Sequence, residues 1–150
     1  MFGSGFLTGN LTLDAGILAW FIAQVLKTIF YSVMNRTFDW RRLVGSGGMP
    51  SSHSAFVCAA AAAIGSQQGL EDPVFALAVV VALVVMYDAC NVRRAAGEQA
   101  KVLNHILRHW DQVSPAIVEE GLKELLGHTP LQVVMGACLG VTVGVGVTMF

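Results

Sequence analysis

Apolar residues run through this chain in blocks, not at alternate positions. Ala15 to Met34, Ser54 to Gly65, Val74 to Tyr87 and Leu131 to Phe150 are nearly free of charge, and none carries the period of two that marks a half-buried strand. The first and last approach the ~20 residues that a helix needs to cross hydrocarbon, and the middle two are shorter. Ser54 to Gly65 is mostly alanine. It is expected inside a bundle, where small side chains let helices approach closely. From about Asp88 to Gly127 the chain turns polar. There Asp88, Asn91, Arg94, Glu98, Lys101, His105 and Arg108 recur at spacings of three and four, which predicts a helix with one solvated, charged face.

Helix starts are punctuated by a capping side chain followed by proline at Asp72-Pro73, Ser114-Pro115 and Thr129-Pro130, the arrangement that a first helical turn favours. Thr129-x-x-Gln132 is a full capping box, because the glutamine can reach back to the cap amide. Gly127 is placed to end a helix containing Ile117 to Leu126. With no internal repeat and no strand pattern, residues 1–150 read as one all-α domain. The expected architecture is a small integral membrane helical bundle of about four membrane helices, plus a polar helical segment between the third and fourth.

Composition narrows the class. Hydrophobic residues make up 55% and charged residues 13%, against a usual ~25% charged, so the chain reads as a membrane protein, with a buried soluble helical core as the competing reading. A net charge of -1 without a basic stripe gives no support for a nucleic-acid partner, and none is expected. Eight of the nine Lys and Arg residues fall in two connections, Arg36, Arg41 and Arg42 after the first block and Arg93, Arg94, Lys101, Arg108 and Lys123 between the third and fourth. The positive-inside rule places both connections on the cytoplasmic side or its equivalent, with the Glu71-Asp72 turn opposite, and four crossings satisfy this. The first dozen residues hold no Lys or Arg, and the first apolar run is long enough to remain as an anchor, so no cleavable leader is expected. Cys58, Cys90 and Cys138 have no metal-ligand spacing and read as small core residues. His105 and His109 are an i, i+4 pair without a recognisable third ligand, so they read as exposed helix histidines and no metal is expected. The Gly136, Gly140, Gly144 series offers a close-packing stripe that serves either the bundle itself or a homo-oligomer.

The candidate chemistry begins at Gly47-Gly48-Met49-Pro50-Ser51-Ser52-His53-Ser54-Ala55. Glycines free the backbone amides, Ser51 or Ser52 caps the following helix, and a helix start with its partial positive charge favours phosphate. His53 adds a proton donor near neutral pH. A second histidine, His128, stands before the capped start at Thr129-Pro130. Four crossings put both histidines on one face with the arginines. Asp88 closes an apolar run and needs pairing, for which Arg93 or Arg94 lies one to two turns on.

Three longer signatures, Ser46-Gly-Gly-Met-Pro-Ser-Ser-His-Ser-Ala55, Met86-Tyr-Asp-Ala89 with Val92-Arg-Arg-Ala-Ala-Gly97, and Leu125-Leu-Gly-His-Thr-Pro130, make the chain resemble the divergent acid phosphatase/vanadium haloperoxidase-related membrane proteins. These are a branch of the type 2 phosphatidic acid phosphatase-like superfamily, and the likeness runs from Leu18 to Gly144. In that superfamily the last-motif histidine attacks phosphorus and the histidine of the earlier motif protonates the leaving oxygen. The resemblance therefore implies a phosphohistidine enzyme with His128 as nucleophile and His53 as acid. Placement along the chain adds phosphate binding by Gly48, Ser51, Ser52, Arg93, Arg94 and Lys27 and orientation by Gln132 and Asp88, and no cofactor is expected. Lys27 shares a helix face with Trp20, Gln24 and Tyr31, so it points into the bundle or snorkels to the interface. The chain departs from the superfamily in four ways. Gln132 stands where an acidic residue orients the nucleophile, Ser52 replaces a glycine, and both the Lys-x6-Arg-Pro motif and a Ser-Arg pair before the last histidine are missing. The expected activity is hydrolysis of a phosphate ester, with a phosphorylated membrane lipid as the substrate class. The alternative is an inactive relative that binds phosphorylated lipid or a protein partner.

Overall fold

The computed structural model describes residues 5–36, 48–108 and 127–149, with the side chains of Arg93, Arg94 and Arg108 outside that description. The expected start at Ser114-Pro115, the helix around Ile117 to Leu126, His109, Lys123, Arg41 and Arg42 also lie outside the described residues. The order is α1 (Leu11–Asn35), α2 (Ser52–Gln68), α3 (Pro73–Tyr87), a π turn (Asp88–Val92), α4 (Arg93–Arg108) and α5 (Pro130–Met149), with no strand among the described residues.

The apolar blocks set these helices, and capping side chains set their ends. α1 starts a turn earlier than the block itself. Asn10 Oδ1 accepts the Leu13 amide at 3.1 Å, and the buried Asp14 carboxylate accepts the Leu7 amide at 2.8 Å, the Thr8 amide at 3.0 Å and the Thr8 hydroxyl at 2.7 Å. Those donors satisfy a carboxylate that would be costly alone in an apolar setting. Asp72 caps α3 by accepting the Val74 amide at 2.7 Å, ahead of Pro73. The expected capping box of α5 is present: Thr129 N–H donates to Gln132 Oε1 at 3.1 Å and Gln132 N–H to Thr129 Oγ1 at 3.4 Å. In α4, Lys101 bonds Glu98 at 3.1 Å on an exposed face, as the charge ladder predicts.

Three helical stretches, Leu11–Asn35, Pro73–Leu107 and Pro130–Met149, are long and apolar enough to cross a membrane. The alanine-rich α2, at 17 residues, is not one of them. It instead forms the hub, packed against α5, α1 and α3. Burial is inverted relative to a water-soluble protein. Ala19, Ala23, Ala55 and Ala59 are fully buried, whereas Leu77 and Val84 are each 63% exposed. Such a surface would aggregate in water and suits hydrocarbon, where close van der Waals contact between small residues holds helices together.

α2 and α5 run parallel, in register every four residues. A Cβ on Gly136 would collide with the Ser51 carbonyl oxygen, one on Gly140 with that of Ala55, and one on Gly144 with that of Ala59. The glycine stripe is therefore used within the chain and is not free for self-association. α1 and α3 run antiparallel to α2, because Gln67 Nε2 donates to Thr12 Oγ1 at 3.2 Å and Cys58 Sγ meets Met86 Sδ at 3.9 Å. The end of α1, the start of α2, the π turn and the start of α5 thus gather at one end. Cys138 corrects the reading of all three cysteines as core: it is exposed, whereas Cys58 is buried and Cys90 intermediate.

Gly140→Ala is expected to destabilise the bundle by about 1–3 kcal/mol, the usual cost of forcing a methyl into a packed contact. A Cβ at Gly146 would meet nothing within 4 Å, so Gly146→Ala is expected to be neutral or slightly stabilising. Thermal unfolding of the two variants in detergent checks both.

Candidate functional site

Ser51, not Ser52, is the N-cap of α2. Its hydroxyl oxygen accepts the Ser54 amide at 3.4 Å and the Ser54 hydroxyl at 3.0 Å, and its carbonyl accepts the Ala55 amide at 3.1 Å. The helix's own ladder begins there, so the amides of Ser52 and His53 lie outside it at the positive end of the dipole. Ser51 and Ser52 are buried, and His53 is exposed in the first turn. The Ser51 amide is already committed, since it donates to the Gln132 carbonyl at 3.0 Å.

Before this start, the Met49–Pro50 peptide is cis and Gly48 has φ +88°. That left-handed conformation favours glycine. Space demands glycine as well, because a Cβ on Gly48 would lie 3.0 Å from Lys27 Cγ. Lys27 therefore lies along the cradle with only 3% of its surface exposed, which settles its direction in favour of the bundle.

His128 is buried at the start of α5, 6% exposed. Its backbone amide donates to the Ala89 carbonyl at 3.0 Å. Ala89 belongs to the π turn, where the widened winding offsets the normal helical pairing, and this bond fastens α5 to the end of α3. The imidazole Nδ1 lies 3.1 Å from Gln132 Oε1. That atom also accepts the Thr129 amide at 3.1 Å, which identifies it as the oxygen of the side-chain amide, because an amide nitrogen accepts nothing. Nδ1 must then be the donor. Neutral His128 consequently holds its proton on Nδ1 and its lone pair on Nε2.

Gln132 thus performs three tasks: it closes the capping box, fixes the histidine tautomer and, through its backbone carbonyl, ties α5 to the cradle. The structure brings Lys27, Gly48, Ser51, Ser52, His53, His128 and Gln132 to one end of the bundle. Asp88 is at that end too, half-buried at the close of α3, and its backbone amide bonds within α3 to Val84 and Val85. The contact made by Gln132 Oε1 assigns orientation of His128 to Gln132. Arg93 and Arg94 open α4 directly after the π turn, with their side chains outside the description. Sequence reasoning missed Ala89, whose carbonyl no motif singles out, and gave no role to Gln24, buried on α1 three residues before Lys27. Among the described residues no group of His, Cys, Asp and Glu could hold a metal ion.

Apolar helices packed through small residues, with two histidine-bearing helix starts side by side, define an integral membrane helical bundle. The chain belongs to the Divergent PAP2 family, which it matches over residues 8–143. It is 35% identical over 145 residues to the uncharacterized membrane protein YuiD of Bacillus subtilis (strain 168), an alignment covering 90% of this chain and 92% of that protein. No solved structure matches it.

Nitrogen NMR of protein labelled at histidine is expected to find that the neutral form of His128 carries its proton on Nδ1. Gln132→Leu is expected to lose that preference and to cost about 1 kcal/mol through the broken capping box. An unchanged tautomer in the variant would show that something else orients the ring.

Proposed function

We propose that the chain is a phosphohydrolase acting on a phosphorylated membrane lipid through a phosphohistidine. The observation that carries this reading is the bond from His128 Nδ1 to Gln132 Oε1, made by the same residue that joins the two helix starts. Nε2 of His128 attacks phosphorus, a P–N bond forms and the P–O bond to the lipid alcohol breaks. His53 gives its proton to the departing oxygen. Water then cleaves the P–N bond and releases phosphate. Lys27, the α2 start and the arginines of α4 neutralise charge on the phosphoryl oxygens, the main demand of phosphoryl transfer. No step as written requires a metal or cofactor.

The lipid character of the substrate is supported by setting. An apolar cavity of about 530 Å³ lies between α2, α3 and α5, lined by Cys58, Ala62, Gly65, Phe75, Met86 and Val141 among others. Cys58 and Met86 stand near the histidine end, so a hydrocarbon chain lies beside the phosphate site at membrane depth. By the positive-inside rule, the basic connections support a cytoplasmic or equivalent face for that end.

One observation favours a second reading, an inactive protein that binds phosphorylated lipid. Gln132 is neutral, so it sets the tautomer but gives the imidazolium formed during reaction no charge stabilisation. Phosphate release from a panel of lipid phosphates by the purified protein separates the two. Turnover is expected for the wild type, a fall of ~10²–10⁴-fold for His53→Ala as its proton transfer is lost, and none above background for His128→Ala. Gln132→Glu is expected to raise turnover by restoring the carboxylate. Wild-type and His128→Ala rates that are equal, or absent for every lipid, would leave the binding reading.

A further inference from the structure

Beside the cradle, α1 carries a polar residue that neither the motifs nor the family resemblance assigns. Gln24 is 5% exposed, and its Oε1 is buried with no hydrogen-bond partner among the described residues. Its backbone carbonyl is used, accepting the Thr28 hydroxyl at 3.0 Å; the side-chain oxygen is not. A buried carbonyl left without a donor costs on the order of 1–3 kcal/mol, so its retention asks for an explanation.

Position supplies one. On α1, Ala19 and Ala23 pack with Ala55 and Ala59 of α2, and a turn further on Lys27 covers Gly48. Gln24 lies between these two contacts, next to Ala23 and three residues before Lys27, on the buried face. Antiparallel packing of α1 on α2 sets it level with the first turn of α2, between the Ala23 and Lys27 contacts. A buried carbonyl oxygen with no partner among the described residues therefore lies one turn from a buried lysine, at the level of a helix start.

We propose that the Gln24 side-chain amide is a ligand-binding group of this site, hydrogen-bonding the phosphoryl group that Lys27 attracts. A phosphate monoester or free phosphate near neutral pH carries P–O⁻ and, in part, P–OH, since the second ionisation lies near 6. The carbonyl end of the amide takes the P–OH and the NH₂ end takes a P–O⁻. A phosphodiester monoanion has no P–OH, so Gln24 selects monoesters over diesters. This inference rests on the phosphate-site reading above.

The test uses the full chain in detergent, with inorganic phosphate as the probe. Removing an orphaned buried polar atom is neutral or stabilising, whereas removing a structural hydrogen bond is not. Gln24→Leu is therefore expected to unfold at or above the wild-type temperature without phosphate, and to bind phosphate about 10-fold or more weakly by calorimetric titration. Gln24→Met is run in parallel, because an unbranched side chain fits an irregular space should leucine not fold. A soluble monoester is expected to lose the same factor in both variants, and a soluble diester, which offers P–O⁻ but no P–OH, to lose less. Lower unfolding temperature with unchanged phosphate affinity would overturn the proposal for Gln24 alone. Wild-type protein that binds no phosphate at all would overturn the phosphate site itself, and Gln24 with it.

Discussion

The parallel seam between α2 and α5 is the contact on which the rest of the structure depends. Three glycines on one helix meet three carbonyl oxygens on the other, each pair four residues from the next. Helices can come this close only where no Cβ intervenes, and in hydrocarbon such close contact replaces the missing hydrophobic drive. Because the seam is parallel, both helix starts face the same way. Its register brings Gly136 over Ser51, so Gln132, one turn earlier, delivers its carbonyl to the Ser51 amide. Cradle and histidine are thus positioned by one repeat.

The membrane-facing architecture follows from the same physics. α2 is too short and too alanine-rich to serve as a strong membrane anchor, yet its lack of bulk makes it the element that every apolar helix can approach. The larger side chains of α3 face outward, where lipid accommodates them. Polar groups inside the bundle sit near its ends. Asp14 closes the far end with donors from Leu7 and Thr8, and Lys27 lies at the end where the histidines gather.

At that end a neutral glutamine takes the position in which the wider superfamily has an acid. The glutamine oxygen retains the geometric part of the task, since it can only accept and so dictates which nitrogen of His128 is protonated. The electrostatic part is not retained. The π turn adds a support of another kind: by offering the Ala89 carbonyl outside the regular ladder, it anchors the backbone of His128 as firmly as Gln132 anchors its ring.

Much of this was legible before any coordinates. Blocks of apolar residues named the helices, and Asp72-Pro73 and Thr129-x-x-Gln132 marked two of their starts to the residue, because capping is local chemistry written within four positions. The paired His53 and His128 were legible for the same reason. The early start of α1 was missed although its cap, Asn10 on the Leu13 amide, is as local as the others; what spacing could not show is the burial of Asp14, whose donors lie six and seven positions away. Nor could the sequence decide whether Lys27 snorkels or turns inward, whether the glycine stripe serves this chain or a second copy, which oxygen contacts the His128 ring, or that the Gln24 side-chain carbonyl finds no donor among the described residues. Each of these depends on which helix lies opposite, and helix pairing is a property of the assembled bundle, not of any one segment. Local order came from spacing along the chain; the shared site came only from parallel helices meeting at one end.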